Sequence, residues 1–92
     1  KYSRVSRLQE ILSLNDARGR LAGFLLHLSG EAGGKTLRIA RNTISSSINL
    51  RTETISRKLK ELEALGLVAL EGHRLIRLLD PEGLRRIFDS SQ

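Results

Sequence analysis

Residues 43–57 combine two short stretches of helical periodicity with one residue suited to a tight turn between them. Ile44 and Ile48 are four positions apart, so they lie on one face of a first helix. Asn49 follows at once, and asparagine tolerates the left-handed backbone conformation better than most residues do. A second helical period runs from about Thr52 to Leu65 and is expected to stop at Gly66, since glycine commonly ends helices. The pattern predicts two short helices joined by a sharp turn, which is the arrangement of a helix-turn-helix.

The second of these helices has an apolar side and a polar side when its residues are spaced at about 100°. The apolar side is formed by Ile55, Leu59 and Leu62. The polar side carries Glu53, Ser56 and Arg57, and these side chains suit the base edges in the major groove of DNA. An arginine fork matches two acceptors of guanine, a carboxylate accepts from the amino group of cytosine, and a serine hydroxyl does either. Lys60 shares this face.

Glu53 and Arg57 also permit a simpler interpretation, because opposite charges four residues apart pair on a solvated helix without any ligand. The distribution of charge separates the two interpretations. The chain has a net charge of +6, and between Lys35 and Lys60 seven basic residues oppose a single acid, so the remainder of the chain sums to zero. A localised positive excess is typical of a nucleic-acid surface. The charge distribution therefore favours a DNA-binding surface over an ion pair that has no ligand.

Composition narrows the remaining functional classes. A chain of 92 residues with no cysteine and two distant histidines supports one small domain and offers no disulfide framework, thiol nucleophile or zinc site. No side chains form a catalytic constellation, so we expect no enzyme, no metal and no cofactor in this fragment. The few aromatic residues disfavour binding of single strands or RNA by stacking. No apolar run reaches membrane-spanning length, and we expect a cytoplasmic protein.

The rest of the chain predicts a mainly α fold with a small antiparallel β-hairpin, a winged helix-turn-helix. The other expected elements are a helix over residues 16–29, a glycine-rich loop over 30–34, a short strand over 35–39, hairpin strands over 67–70 and 73–79, and a helix that opens at residues 80–82. His73 and Arg74 lie at the tip of the hairpin. They could contact phosphate or belong to a solvated turn, and the residues alone leave both interpretations open.

The first fourteen residues carry a narrow apolar seam formed by Val5, Leu8 and Leu12. Such a stripe at helical spacing suits a dimer between two helices, and packing on the same domain is the alternative. We expect residues 1–14 to be the end of a dimerisation helix and residues 15–92 to form the DNA-binding domain. The protein would then act as a homodimer.

Several stretches together resemble the C-terminal DNA-binding half of the Crp/Fnr transcription regulators. They are Glu53-Thr-Ile-Ser-Arg57, Leu59-Lys-Glu-Leu62, Leu65-Gly-Leu-Val68 and Leu79-Asp-Pro-Glu-Gly-Leu84. The resemblance implies sequence-specific binding of double-stranded DNA within a homodimeric regulator whose effector-sensing half lies outside this fragment. It also implies a contact between loop 30–35 and RNA polymerase. A winged helix of another repressor family, or one that binds protein, is the alternative.

The order Glu-x-x-Ser-Arg is similar to the Fnr branch, whose members read TTGAT-type half-sites. That likeness implies that Glu53 and Arg57 share a G·C pair and that Ser56 helps to select the outer thymine. Members of the family commonly have Ser or Thr where this chain has Arg51, so the usual capping box is incomplete. The resemblance implies phosphate contacts for Arg41, Arg51 and Thr54. The full set of expected phosphate-contacting residues is Arg41, Arg51, Thr52, Thr54, Lys60, His73 and Arg74.

Overall fold

Four helices and three short strands follow one another in a computed structural model that describes residues 16–32, 34–72 and 74–91. They are α1 (Ala17–Ala32), β1 (Thr36–Arg38), α2 (Arg41–Ile48), α3 (Thr52–Ala64), β2 (Val68–Glu71), β3 (Leu75–Leu78) and α4 (Pro81–Ser90). The predicted winged helix-turn-helix is confirmed. The expected dimerisation seam of Val5, Leu8 and Leu12 lies outside the described residues, and so does His73.

The turn between α2 and α3 depends on a single left-handed residue. Asn49 has φ 58° and ψ 46°, as expected from its tolerance of that conformation. The N–H groups of Asn49 and Leu50 both donate to the carbonyl oxygen of Ser45, the second over 3.2 Å. The Ser45 hydroxyl in turn donates to the carbonyl oxygen of Leu50. These bonds reverse the chain within two residues and set the angle between α2 and α3.

The end of α3 is equally well defined. Gly66 has φ +78°, a conformation that glycine adopts without a Cβ penalty. Its N–H donates to the Glu63 carbonyl over 2.9 Å, and the N–H of Leu67 donates to the Leu62 carbonyl over 3.0 Å. This pair of bonds is a Schellman closure. The predicted stop at Gly66 is confirmed. Leu67, the residue before β2, is buried in the core.

The strands form a three-stranded antiparallel sheet in the order β1-β3-β2, rather than a hairpin beside an isolated strand. Ile76 is the central partner, opposite Leu37 on one side and Leu70 on the other. The junctions are closed by bonds from Leu78 N–H to the Lys35 carbonyl (2.7 Å) and from Ile39 N–H to the Arg74 carbonyl (2.8 Å). The sheet therefore joins the segment before α2 to the wing that follows α3.

The predicted bounds of four elements were wrong, and one of these is β1, which spans Thr36–Arg38 rather than residues 35–39. α1 continues to Ala32, through part of the expected glycine-rich loop, because a glycine costs only about 1 kcal/mol in a helix and the residues beyond it favour helix. β2 begins one residue late, at Val68, and includes Glu71 because that residue pairs with Leu75 and its carboxylate lies 2.6 Å from Arg77. β3 begins at Leu75 rather than at residue 73.

One apolar core collects residues from every element. Its fully buried large side chains are Leu21, Leu25, Ile44, Ile48, Ile55, Leu59, Leu62, Ile76, Leu78, Leu84 and Phe88. Within the described ranges, no polar or charged residue is classed as buried. None of the helices described combines the length and apolarity required to cross a bilayer.

The helices α1 and α4, which are not part of the helix-turn-helix, are packed and capped against each other. Asp16 precedes α1, and its Oδ1 accepts from the N–H of Arg18 over 3.3 Å while its Oδ2 accepts from the Ser91 hydroxyl over 3.0 Å. A Cβ added to Gly19 would lie 2.0 Å from the Ser91 Oγ. The missing side chain of Gly19 therefore permits this close approach.

We expect Gly19→Ala to destabilise the domain, because the clash with Ser91 outweighs the gain in helix propensity. Gly30→Ala is the matched control in the same helix, since a Cβ there meets nothing within 4 Å. The control should gain up to about 1 kcal/mol in the free energy of unfolding. Urea denaturation followed by circular dichroism measures both. A stabilised Gly19→Ala variant would contradict the close packing of α1 on α4.

The capping contacts of Asp16 predict an acid-sensitive contribution to stability. Desolvation acts to raise the pKa of Asp16, but hydrogen bonds from Ser91, Arg18 and Gly19 and the charge of Arg18 outweigh it and hold the pKa below its ordinary value of 3.8. A lowered pKa in the folded state stabilises the protein above the unfolded value and ceases to do so as the pH falls through the folded value. Between about pH 5 and about pH 3, Asp16→Asn should therefore lose less stability than the parent chain. Equal losses in parallel urea titrations would refute the role of this carboxylate.

Candidate nucleic-acid interface

The orientation of α3 is decided by its apolar side. Ile55, Leu59 and Leu62 are completely buried, so the opposite side of the helix faces solvent. The side chains of Glu53 and Arg57 are 80% and 65% exposed, and Ser56 is partly exposed between them. All three lie in the first half of the helix. The structure therefore brings the three predicted base-reading residues onto one accessible surface.

Glu53 and Arg57 form an ion pair in the unbound domain, with the Glu53 Oε2 and the Arg57 Nη2 3.9 Å apart. Pairs this exposed contribute only about 0–1 kcal/mol to stability. The contact therefore costs little to exchange for a base edge. The pair is thus compatible with base reading as well as with a purely surface role.

Most of the predicted phosphate-contacting residues lie close to the beginning of a helix. Arg41 is the first residue of α2, Arg51 directly precedes α3, and Thr52 is the first residue of α3. Arg51 and Thr52 are exposed, and Thr54 is partly exposed one residue beyond Glu53. Two others stand further away: Lys60 is exposed two turns along α3, and Arg74 is exposed next to β3.

The beginnings of α2 and α3 differ from those of the other two helices. At α2 and α3 the N-cap residues are Ala40 and Arg51, and neither makes a side-chain capping hydrogen bond. At α1 and α4 the N-cap residues are Asp16 and Asp80, and both carboxylates accept from the helix backbone. A helix N-terminus without a carboxylate cap leaves N–H donors and a partial positive charge available to an anion. The two uncapped ends belong to the helix-turn-helix and have an arginine beside them.

A second set of contacts on α3 was not anticipated from the sequence. The Glu61 carboxylate lies 2.8 Å from Arg18 on α1 and 3.3 Å from Lys58 on α3. Partial desolvation acts to raise the pKa of Glu61, but hydrogen bonds and charges from Lys58 and Arg18 outweigh it and lower the pKa. The contact between Lys58 and Glu61 could be predicted from their i,i+3 spacing on a helix. The contact with Arg18 could not, because Arg18 is 43 positions away from Glu61 in the sequence.

Two further contacts join α2 and α3 to their neighbours. The Arg20 guanidinium on α1 donates to the carbonyl oxygen of Ile48, the last residue of α2, over 3.0 Å. A cation at the C-terminal end of a helix is favourable because it meets the negative end of the helix dipole. Glu63 on α3 accepts from the backbone N–H of Leu70 in β2 over 3.2 Å. The helix-turn-helix is therefore held by α1 at one side and by the wing at the other.

The sheet adds a basic residue, Arg38, that the sequence analysis did not select as a site residue. Arg38 on β1 and Arg74 beside β3 line an open depression of about 540 Å³ together with Glu71 and Leu75. β1 and β3 are neighbours in the sheet, although Arg38 and Arg74 are far apart in the sequence. Only the pairing of the strands brings these two arginines together.

Comparison with known proteins adds a family and several relatives. Residues 19–87 match the family described as the Crp-like helix-turn-helix domain. The nitrogen fixation regulation protein FixK of Azorhizobium caulinodans is 32% identical to the chain, over 94% of the chain and 39% of that protein. FixK of Rhizobium meliloti is 37% identical over 74% of the chain and 34% of that protein. The chain thus spans less than two fifths of the curated relatives it matches.

Solved structures give the same fold. A putative transcriptional regulator of the Crp/Fnr family from Eubacterium rectale superposes with a TM-score of 0.81 and 29% sequence identity, over 89% of this chain and 38% of that one. A Crp/Fnr-family regulator from Thermus thermophilus gives a TM-score of 0.78 and 27% identity, over 94% of this chain and 47% of that one.

The uncapped N-terminus of α2 predicts a trade between stability and anion binding. Ala40 has φ −79° and ψ 151°, which suits a capping residue. Ala40→Asp should raise the free energy of unfolding by about 1 kcal/mol but weaken binding to a random-sequence DNA duplex. Ala40→Asn caps without adding charge, so it should stabilise similarly and weaken DNA binding less. Equal DNA affinities for the parent chain and both variants, measured by fluorescence anisotropy at low salt, would mean that this helix end does not face DNA.

Proposed function

The chain belongs to the family of Crp-like helix-turn-helix domains, which are DNA-binding domains of transcription regulators, and on that premise we propose that it reads specific DNA sequences with α3 in the major groove. Glu53, Ser56 and Arg57 are the base-reading residues of this proposal. The observation that carries it is their joint exposure on one face of α3, opposite the buried side that fixes the helix. A helix-turn-helix docks with its second helix in the groove.

The chemistry of the three side chains defines what they would recognise. The Arg57 guanidinium would donate two hydrogen bonds to N7 and O6 of a guanine, and the Glu53 carboxylate would accept from the amino group of the paired cytosine. Glu53 and Arg57 lie next to each other on the helix, so one G·C pair can satisfy both. The Ser56 hydroxyl would contact a neighbouring pair. An anion on this surface opposes non-specific DNA binding, so Glu53 favours selectivity over raw affinity.

Phosphate contacts would orient the domain on the duplex. In this proposal Arg41, Arg51 and Thr52 serve the backbone where α2 and α3 begin, and Arg74 serves it from the wing. Thr54, Lys60 and His73 complete the set. Support comes from the exposure of Arg51, Thr52, Lys60 and Arg74 and from the absence of carboxylate caps at α2 and α3. Such contacts fix register without carrying sequence information.

The remaining parts of the proposal concern the larger protein. We propose that the chain is the DNA-reading half of a homodimeric Crp/Fnr-type bacterial regulator without catalytic activity, paired through the seam of Val5, Leu8 and Leu12. A two-fold dimer would bind a palindromic operator with half-sites about one helical turn apart. The segment over residues 30–35, which begins as the end of α1, would contact RNA polymerase. A function on the bacterial chromosome assigns the regulator to the cytoplasm.

The base-reading assignment is tested on a duplex selected by the parent chain from a random library, and on the same duplex with its critical G·C pair changed to A·T. Arg57→Ala should lose roughly 1–3 kcal/mol on the selected duplex and much less on the altered one. Glu53→Ala should bind the altered duplex more tightly, because it removes an anion from the DNA-facing surface, and should discriminate between the two duplexes less. Competition titrations at fixed salt measure both ratios.

Arg51→Ala is the control, since it removes the same kind of charge from the neighbouring turn. It should weaken binding to both duplexes about equally and flatten the salt dependence by about one unit of slope. If Glu53→Ala keeps the discrimination of the parent chain, Glu53 is only a surface partner of Arg57 and the base-reading assignment fails.

A further inference from the structure

We propose that Glu61 and Glu63 are positioning residues that set the rotation of α3 about its own axis, and with it the aim of the base-reading side chains. The proposal rests on the function proposed above. On a helical projection with Glu53 at 0°, Glu61 falls at about +80° and Glu63 at about −80°. The two carboxylates therefore flank the reading face on opposite sides. Each is bound to a different element of the fold.

On the first side, Glu61 connects α3 to α1. Its Oε1 lies 2.8 Å from the Arg18 Nη2, while its Oε2 lies 3.3 Å from the Lys58 Nζ. The Glu61 and Lys58 side chains are 34% and 26% exposed, so this cluster is more sheltered from water than the Glu53–Arg57 pair. Arg20, two residues after Arg18, holds the last carbonyl of α2 over 3.0 Å. The first turn of α1 thus contacts both helices of the motif.

On the second side, Glu63 connects α3 to the wing. β2 is an edge strand of the sheet, and the Leu70 N–H in it donates to the Glu63 Oε2 over 3.2 Å. A directional bond to a strand edge resists rotation of the helix in the sense opposite to that resisted by the Arg18 contact. Together the two contacts brace α3 from α1 and from β2.

Such a brace is needed because burial decides which side of α3 faces the core but restrains the exact rotation of the helix less tightly. Ile55, Leu59 and Leu62 hold α3 in the core through a force that is non-directional. Hydrogen bonds to base edges instead require donors placed to within about 0.5 Å and 10–20°. Ion pairs and hydrogen bonds weaken when their geometry changes, so they can supply this angular restraint. These contacts should therefore affect the discrimination between DNA sequences more than the free energy of unfolding.

The charges also argue for a specific role. A carboxylate on a DNA-facing helix opposes binding through repulsion of phosphate. At Glu61 that repulsion is offset by two cations, and at Glu63 the carboxylate is engaged by a backbone donor. Both acids thus lie at the borders of the reading face and are engaged by contacts within the domain. Glu53, by contrast, lies at the centre of that face.

The experiment measures the ratio of affinities for the selected duplex and for a random duplex in Arg18→Gln, in Glu61→Gln and in the double variant. Electrostatics alone predicts opposite shifts in overall affinity for the two single variants, since one removes a cation and the other an anion. Positioning predicts instead that both single variants lower the ratio, by roughly two- to fivefold, which a partly exposed ion pair can supply. The double variant should lose no more than either single variant.

Glu63 has an internal rescue test. Glu63→Gln keeps an oxygen that can accept from Leu70 N–H and should retain the ratio of the parent chain, whereas Glu63→Ala should lower it. Glu82→Gln is the matched control for charge, because it removes an exposed glutamate that pairs with Arg86 at 4.0 Å on α4, away from the motif. It should leave the ratio unchanged. Thermal melting of each variant verifies folding at the binding temperature.

The outcomes separate the two proposals. A parent chain with no preference for the selected duplex would overturn the proposed function and this inference with it. A parent chain that discriminates, combined with variants at residues 18 and 61 whose ratios stay unchanged or move in opposite directions, would overturn the inference alone. Additive losses in the double variant would likewise show that Arg18 and Glu61 act separately.

Discussion

Burial of one side of α3 is the constraint on which the rest of the domain depends. Ile55, Leu59 and Leu62 have no exposed surface, and they contribute to the same core as residues of α1, β3 and α4. Removing such apolar area from water is the dominant favourable term in folding. Once this side is committed to the core, the opposite side of α3 has to face solvent. The accessibility of Glu53 and Arg57 therefore follows from packing rather than from any contact of their own.

The side-chain caps at helix N-termini are distributed unevenly over the domain. α1 and α4 begin at aspartates that cap them, whereas α2 and α3 begin without a side-chain cap. An N-cap contributes about 1 kcal/mol, so the helix-turn-helix forgoes stabilisation that the other helices receive. The start of α2, which has neither a carboxylate cap nor an acidic residue in its first turn, therefore stays attractive to phosphate, whereas the first turn of α3 carries Glu53. The side-chain caps thus belong to the helices outside the motif, and the uncapped helix ends belong to the proposed binding surface.

The sequence was most informative where the signal is local. Asn49 and Gly66 marked the turn and the end of α3 because few residues adopt positive φ without strain, and both were found in that conformation. The start of α4 at Asp80-Pro81 was also predicted correctly, because aspartate is a common N-cap and proline is favoured in the first turn of a helix. The boundaries of α1, β2 and β3 were predicted less well, because pairing across the sheet and continuation of a helix through Gly30 depend on neighbours rather than on propensity.

The sequence by itself determined the motif, the side of α3 that would be buried and the side that would be exposed, since all three follow from helical spacing and residue type. The tertiary structure decided what no spacing encodes. It joined β1 to β3 and so brought Arg38 beside Arg74, and it set Arg18 on Glu61 across 43 positions of chain. Such contacts form only after chain reversals have closed long loops. Their partners are therefore chosen by the packing of whole elements, not by the residues next to them in the chain.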